Sequence, residues 1–276
     1  MANIDSAPRT GLAGLRVTAG AHIAFGPGEP ASRLRGLQEW GGYRVKFPAA
    51  AERAEAVLLN TGGGVAGGDA LEVDVTLDAG AALTFTTQSA ERIYRSMGDA
   101  ARIDVRLTLA AGADLAHIPQ ETILFSKARL KRSIAAELAE GAQLLLAETV
   151  VFGRTAMGEV VAEGAFADSW RIRRGGRLIY ADEVRLEGSI NDLLQRPAIG
   201  QGAKSFGTIL SIAPDAPDRI DEVRAQLTTA ECRAAASTWN GVLCVRLLGS
   251  PAGVRKTAAL VIAGLSRRPL PRVWCL

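Results

Sequence analysis

The chain has 276 residues, of which 48% are hydrophobic, 22% charged and 5% aromatic, and its formal net charge is +3. This ordinary globular composition excludes global disorder, and 32 basic residues interspersed with 29 acidic ones do not form the concentrated positive face of a nucleic-acid-binding protein. Apolar runs are shorter than the roughly 18 residues that a membrane span needs, and no apolar segment follows a basic N-terminus. We therefore expect neither a membrane protein nor a secreted one.

Cysteine and histidine are scarce. Cys232, Cys244 and Cys275 are too few, and odd in number, for a disulfide framework, which favours a cytoplasmic protein. His22 and His117 are the only histidines, and no CxxC, HxH or HExxH motif occurs. Tight zinc and other transition-metal sites use such ligands at short spacing, so we expect no tightly bound metal or other cofactor.

A glycine-rich segment, residues 60–69, is the first distinctive feature along the chain. Five glycines occupy the seven positions 62–68. A phosphate-binding P-loop continues with Lys and Ser or Thr, whereas here Asp69 follows the last glycine and would repel a phosphate. The pattern predicts a tight turn with close backbone approach instead of a nucleotide site.

Three similar segments follow between residues 73 and 154. Each has a leucine and, three residues later, a Gly-Ala pair; the glycines are Gly80, Gly112 and Gly141, 32 and 29 residues apart. A weaker fourth copy surrounds Gly176. In each copy apolar and polar residues alternate around the glycine, which predicts two strands joined by a turn.

A unit this small cannot bury its own apolar face, so neighbouring copies must stack. We therefore expect a mainly all-β protein in which residues 1–212 form a body of stacked β-hairpins or a β-helix-like body. A β-sandwich with coincidentally similar hairpins is the alternative.

Residues 213–276 change character and predict a helix, a hairpin and a second helix that pack on the body as part of one functional unit. Asp218 is the expected N-cap of a first helix over residues 219–228. The Asn-Gly pair at 240–241 predicts the hairpin turn. A Ser-Pro pair opens the second helix, expected over residues 250–264.

Acidic side chains at the ends of elements leave an enzyme hypothesis open. A pair of carboxylates can act as general acid and base, as in a β-helix enzyme that acts on polysaccharide. The low aromatic content, 5%, argues against sugar stacking. No GxSxG motif is present, and His117, inside the second copy, is interpreted as a structural strand residue.

Several motifs recur in a recognisable order: NTGGGVAGGDALEVDVTL, TTQSAERIYRS, PQETILFSKARLKR, FGRTAMGE and the closing PRVW. Together they resemble the urease accessory protein D family, also called H, over about residues 35–276. The resemblance implies a β-rich helical stack of strands with two helices. It also implies a scaffold instead of an enzyme: a factor that binds apo-urease and the accessory proteins F and G, G being a GTPase, and that supports nickel delivery to urease.

The resemblance is carried by positions in four motifs, to which it gives turn, interface or structural roles. These positions are Gly63, Gly64, Gly67, Gly68, Asp69, Thr87, Gln88, Tyr94, Arg95, Pro119, Gln120, Glu121, Gly153, Arg154 and Gly158. The chain departs from the family at Thr61-Gly62, where many members have Pro-Pro, and near Glu55, where many have a histidine.

Nickel handling by a chain with two histidines must be transient, because oxygen ligands bind Ni²⁺ more loosely than imidazole or thiolate do. The family is thought to pass nickel through an internal, water-filled path. The expected contributors are four acids: Asp69, Glu121, Glu148 and Asp182. The alternative for these acids, a partner arginine or solvent at a strand end, remains open.

Overall fold

The computed structural model describes residues 16–49, 53–96, 98–154 and 157–275. Their strands are β1 (Thr18–Gly26), β2 (Arg33–Trp40), β3 (Tyr43–Lys46), β4 (Ala54–Asn60), β5 (Ala70–Leu77), β6 (Ala82–Thr87), β7 (Glu91–Ile93), β8 (Ala101–Leu109), β9 (Asp114–His117), β10 (Thr122–Leu124), β11 (Arg129–Leu138), β12 (Gln143–Phe152), β13 (Gly164–Arg174), β14 (Arg177–Gly188), β15 (Ser205–Ile212), β16 (Arg233–Trp239) and β17 (Val242–Gly249). The α-helices are α1 (Ile190–Gln195), α2 (Ile220–Leu227) and α3 (Pro251–Ser266).

The strands form two sheets that pack face to face. The first sheet has the order β14-β13-β11-β8-β5-β1-β2. The second has the order β16-β17-β15-β12-β9-β6-β4-β3, with β10 pairing with β12 and β7 pairing with β10. The mainly all-β class is therefore confirmed.

The repeat has a direct structural counterpart. Each copy places its first strand in the first sheet and its second strand in the second sheet, and the turn at its glycine carries the chain from one sheet to the other. Equivalent leucines align across parallel strands: Leu77 with Leu109, and Leu109 with Leu138. Of the two arrangements expected for the body, the β-helix-like one is observed, because the two strands of a copy pair with neighbouring copies and not with each other.

The weak fourth copy begins like the others and then departs. Its first strand, β13, runs parallel to β11, and Gly175 N donates to Leu138 O at 2.9 Å. Gly175 and Gly176 then both have positive φ, 54° and 77°. Two such residues in succession make a tight hairpin turn, so β14 folds back antiparallel in the same sheet.

The main core lies between the two sheets. In β8 the residues Ile103, Val105, Leu107 and Leu109 point inward and are buried, while the residues between them face outward. This period-two pattern places one side of every repeat strand in the core. A second apolar cluster joins the outer face of the second sheet to α3.

The C-terminal region contains the expected helix, hairpin and helix. Asn240 and Gly241 have φ of 51° and 75°, as the hairpin turn requires, and Ser250 caps α3 by accepting a hydrogen bond from Gly253 N at 3.1 Å. The expected cap at Asp218 is wrong: this residue lies in a 3-10 turn, Pro217–Arg219, and Arg219 precedes α2 without a side-chain cap. The hairpin extends the second sheet through β17 and β15. The division of the chain at residue 212 stays a prediction.

Replacing a glycine of the repeat turns by alanine should destabilise the protein more than the same replacement at a glycine in an ordinary strand conformation. Gly112 has a φ of +67°, and an added Cβ would meet nothing within 4 Å, so Gly112→Ala tests backbone conformation alone. We expect it to lower the free energy of unfolding by about 1–2 kcal/mol, measured by urea denaturation. The matched control is Gly36→Ala in β2, where no positive φ is required and the new Cβ would lie 3.7 Å from Ala24 Cβ. Equal losses in the two variants would contradict the prediction.

Candidate functional site

The motif loops meet at one end of the β-helix-like body, opposite the glycine turns of the repeat. Val65 N donates to Arg92 O at 2.8 Å, and Tyr94 N returns a bond to Val65 O at 2.8 Å. Glu91 N donates to Glu121 O at 2.9 Å. The motifs that are separated in sequence therefore form one hydrogen-bonded layer.

Two glycines of the first motif permit close approach to the second. A Cβ on Gly64, whose φ is +149°, would lie 2.4 Å from Tyr94 Cε2. A Cβ on Gly67 would lie 2.1 Å from Ser96 Oγ. Neither position can accept a side chain without moving its neighbour, which explains the glycine requirement through packing. Gly63 (φ +77°) and Gly68 (φ +88°) have left-handed backbones.

Asp69 fixes the glycine loop from within. It is 6% exposed, and its two carboxylate oxygens accept hydrogen bonds from Val17 N and Ala66 N, each at 2.8 Å. Its backbone carbonyl accepts from Arg102 N at 2.8 Å. These bonds give the carboxylate a loop-fixing role, and its place in a nickel path stays a prediction.

A buried ionic network spans the two sheets. Arg132 projects inward from β11 in the first sheet, 5% exposed, and its guanidinium binds Asp168 of β13 through Nη2–Oδ2 at 2.6 Å and Nε–Oδ1 at 3.0 Å. Its Nη1 donates to Glu148 Oε2 on β12, across the interior, and reaches Thr122 Oγ1 at 3.3 Å. Burial alone lowers the pKa of Arg132, but the two carboxylates more than offset this and raise it above its ordinary value.

A cavity of about 60 Å³ lies beside this network, between the sheets. Arg132, Glu148 and His117 border it on the polar side. The other lining residues are Tyr43, Leu58, Val73, Phe85, Thr87, Glu91, Ile103, Val105, Pro119, Gln120 and Thr122. Since a single water needs about 10–15 Å³ measured in this way, the cavity has room for a few waters.

Glu91 lies between this cavity and a second recess of about 50 Å³ that reaches the glycine loop at Gly63 and Gly64. Asn60 Nδ2 donates to both carboxylate oxygens of Glu91, at 3.0 and 3.1 Å. Burial raises the pKa of Glu91 to about 6 against the opposing effect of these bonds. Tyr43 also borders both spaces, and its pKa is raised by burial and then by the charge of Glu91.

Two of the expected nickel-path acids pair with arginines elsewhere. Glu121 accepts from Arg255 Nη1 at 2.6 Å, and Asp182 lies 2.7 Å from Arg246 Nη2. Neither lines the cavity, whereas Glu148 does. The structure therefore brings only Glu148 of the four acids into the interior space; the roles of the other three stay predictions.

The PQE motif joins the cavity wall to the C-terminal segment. Pro119 and Gln120 line the cavity, and Gln120 Oε1 accepts from Arg255 Nη1 at 2.6 Å. The guanidinium of Arg255 also lies 5.3 Å from the ring of Trp274, whose Nε1 donates to Ile118 O at 3.0 Å. The closing PRVW segment is thus anchored to the edge of the cavity.

The remaining motif residues lie nearer the surface. Arg154 stacks over Phe125 at 4.6 Å and binds Glu159 at 2.9 Å, and Phe125 packs edge-on against Tyr94 at 5.2 Å. Gly153 has a φ of +82° and Gly158 one of +69°. In the second motif, Thr87 Oγ1 accepts from Gln120 N at 2.9 Å, Gln88 N donates to Leu58 O at 2.9 Å, and Arg95 forms an isolated bridge with Ala128.

Sequence reasoning missed Tyr43, Glu91 and Arg132, which line the cavity, and Asp168, which pairs with Arg132. It interpreted His117, which also lines the cavity, only as a structural strand residue.

The sequence of β11 does indicate this site, because Arg132 lies at alternate positions with Leu130 and Ile134 and therefore on the same, buried side of the strand. A charged residue on the apolar side of a strand must find a partner inside the protein. Its partners lie on other strands, Glu148 on β12 and Asp168 on β13, which the pattern of β11 alone does not reveal.

The described ranges contain neither a metal-binding cluster nor a membrane-spanning helix. Residues 16–49, 53–96, 98–154 and 157–275 contain no group of three or more His, Cys, Asp or Glu side chains arranged to hold a metal ion. In the same ranges, no helix has the length and apolar character that crossing a membrane requires.

Comparisons with known proteins place this fold in a family. Residues 17–275 match the family described as UreD urease accessory protein. The chain belongs to this family. It is 50% identical to urease accessory protein UreD 1 of Methylobacterium radiotolerans, with 99% of this chain and 98% of the relative covered. It is 48% identical to urease accessory protein UreD 2 of Methylorubrum populi (96% and 89% covered) and 45% identical to urease accessory protein UreD of Xanthobacter autotrophicus (94% and 88% covered).

In this UreD-family chain, Arg132→Met should be strongly destabilising, because it leaves Glu148 and Asp168 buried without their cation. We expect a loss of about 3–5 kcal/mol in the free energy of unfolding, measured by urea denaturation. The compensating control is the triple variant Arg132→Met, Glu148→Gln, Asp168→Asn, which removes all three charges and should recover much of the loss. A single variant as stable as the parent would show that the network is not formed.

The raised pKa of Glu91 predicts that the stability of the folded protein depends on pH, and it fixes the sign of that dependence. Its folded pKa of about 6 exceeds the ordinary value of 4.5, so the native state binds more protons than the unfolded state between these values. Its contribution to stability is therefore present below about pH 4.5 and is lost as the pH rises to about 6. Glu91→Gln should raise the free energy of unfolding at pH 7 by about 1–2 kcal/mol and flatten its pH profile in this window, both measured by denaturation.

The control for Glu91 is Glu222→Gln. The hydrogen bond and charge of Arg219 lower the pKa of Glu222, so its removal acts in the opposite direction, with a small effect at this exposed site. A parent whose stability rises from pH 4.5 to 6 relative to Glu91→Gln would contradict the assignment.

Proposed function

We propose that this chain is a urease maturation factor that acts as a scaffold: it binds apo-urease and the accessory proteins F and G, and supports GTP-dependent nickel delivery to the urease active site. The observation that carries the proposal is the family match over residues 17–275, with relatives named urease accessory proteins. In this role the chain is a cytoplasmic chaperone and has no catalytic residues of its own. Nickel is its cargo and no cofactor is held tightly.

The space between the two sheets supports a transit role. The cavity and the recess share Glu91, Tyr43, Leu58 and Thr87, so the two spaces lie on either side of these side chains, between the glycine loop and Glu148. Carboxylate and hydroxyl oxygens bind divalent cations loosely, which suits an ion that must be surrendered. Nickel would enter beside Glu91 and pass along the face of the ionic network.

The buried acids also favour a scaffold over the carboxylate enzyme. Glu148 and Asp168 both bind Arg132, 5% exposed, so neither is a free acid or base in a cleft. A general acid or base must lie within hydrogen-bond reach of a substrate. Instead, both carboxylates bind the guanidinium of Arg132 between the sheets.

The scaffold proposal is tested by coexpression with the urease subunits and proteins F and G. The expected result is recovery of apo-urease and F with the tagged chain, together with nickel-dependent urease activation. Glu148→Gln should keep these interactions but lower activation, because it removes a charge from the path while leaving an oxygen for Arg132.

The matched control is Asp182→Asn, which changes an acid that does not line the cavity and pairs with Arg246 at 2.7 Å. Equal activation by the parent, Glu148→Gln and Asp182→Asn would refute the path through Glu148 but leave the scaffold. Recovery of the tagged chain alone would refute the scaffold.

A further inference from the structure

The two sheets end unevenly on the side away from β2 and β3. The first sheet ends at β14 and the second at β16, and within the described ranges each of these strands pairs with a neighbour on one side only. β14 faces β17 across the interior, because Arg246 Nη2 lies 2.7 Å from Asp182 Oδ2 and donates to the Tyr180 hydroxyl at 2.9 Å. Since β16 lies beyond β17, the second sheet extends one strand further than the first.

This additional strand has an uncovered inner face. Ala235, Ser237 and Trp239 lie on the side of β16 that faces the first sheet, since Ser237 pairs with Cys244 of the main core. All three are exposed, Trp239 to 41%, although the other side of β16 packs against the second apolar cluster. Trp239 stacks on Tyr180 of β14, with ring centroids 5.8 Å apart. The uncovered face is therefore continuous with the free edge of β14.

The free edge of β14 suits the addition of a strand. β14 has 12 residues and pairs with β13 along one side, which leaves main-chain N–H and C=O groups on the other. Such an edge is a template for an extended segment of another chain. A strand added beside β14 would lie opposite β16, so it would bring the two sheets to the same width and cover Trp239.

A second copy of this chain does not fit the same edge. A copy related by a two-fold axis, with its β14 antiparallel to this one, would carry its second sheet on the same side of the joined first sheets. Its β17 faces its own β14, as here, and would therefore occupy the position of this chain's β16. This collision favours a single extended segment over a symmetric dimer.

The two faces beside the edge indicate the chemistry of that segment. Inward side chains would lie over Ala235 and Ser237, which are small and leave room for large apolar groups, and beside the ring of Trp239. Outward side chains would lie beside Glu183 and Arg185, exposed residues of opposite charge, which suit polar groups. Because side chains alternate along a strand, the segment has large apolar residues at every second position.

We propose that an extended segment of a partner protein, with large apolar side chains at alternate positions, pairs with β14 as an eighth strand of the first sheet and covers the inner face of β16. The inference rests on the proposed function for the partner, which is a component of the assembly with apo-urease and protein F. Main-chain hydrogen bonds to β14 supply affinity, and the face formed by Ala235, Ser237 and Trp239 supplies specificity.

Amide hydrogen exchange compares the free full chain with the assembly that it forms with apo-urease and F. Exchange at alternate amides of β14 should slow by about tenfold or more in the assembly, because these amides gain hydrogen-bond partners. Unchanged exchange along β14 would overturn the proposal. Protection that rises with the concentration of the free chain would show that a second copy is the occupant, and would also overturn it.

Ser237→Arg tests the covered face. Ser237 is exposed, so the free variant should keep the thermal midpoint of the parent, whereas the added strand would bury an unpaired charge. The affinity for F or for apo-urease, each measured by biolayer interferometry, should fall by about tenfold or more. The matched control is Thr108→Arg, at an exposed position on the outer face of β8. Unchanged affinity for both partners, or an equal loss in the control, would overturn the proposal.

These measurements separate the strand site from the broader role. A parent chain that recovers apo-urease and F while β14 exchanges as in the free chain overturns the strand site and leaves the scaffold. A parent chain that recovers neither protein refutes the scaffold, and the strand site is refuted with it.

Discussion

The ion pairing of Arg132 with Glu148 and Asp168 is the constraint on which the interior depends. Burying three charges costs several kcal/mol per ion before their mutual attraction is counted, and apolar side chains of similar volume are often at least as stabilising. Here the network joins β11 and β13 of one sheet to β12 of the other. Since Arg132 occupies a position where the neighbouring strands contribute Ile103 and Leu71, it keeps a polar group between two sheets that otherwise enclose an apolar core.

The coiled path of the repeat explains why this region lies where it does. Each copy crosses between the sheets at Gly80, Gly112 or Gly141 at one end, and returns through longer connections at the other. Parallel stacking brings all of the returning connections together, and the glycine loop, Glu91 and the PQE motif lie in them. At one end the connections are tight turns made by glycines with left-handed backbones. At the other end the connections are longer, so they contain enough residues to form a site.

More of the fold than of the site could be predicted from the sequence, because the patterns that determine the fold lie within short segments of the chain. Period-two alternation and a glycine at fixed spacing identified the three stacked copies, down to the alignment of Leu77, Leu109 and Leu138. The site depends on pairings between distant strands: Arg132 meets Glu148 and Asp168, which no spacing reveals. Asp69 is the opposite case: the sequence predicts a metal ligand, because an acid follows a glycine-rich segment. In the structure its two carboxylate oxygens accept backbone hydrogen bonds instead.

The Arg132 network also limits how strongly the interior can attract a cation. A resident metal site uses three or four protein ligands with supporting hydrogen bonds, and the Nδ1 atom of His117 lacks such support in the described structure. Arg132 would compete with any cation for the charge of Glu148, because its guanidinium already pairs with that carboxylate. The guanidinium therefore holds the carboxylate in place and at the same time weakens its attraction for an ion.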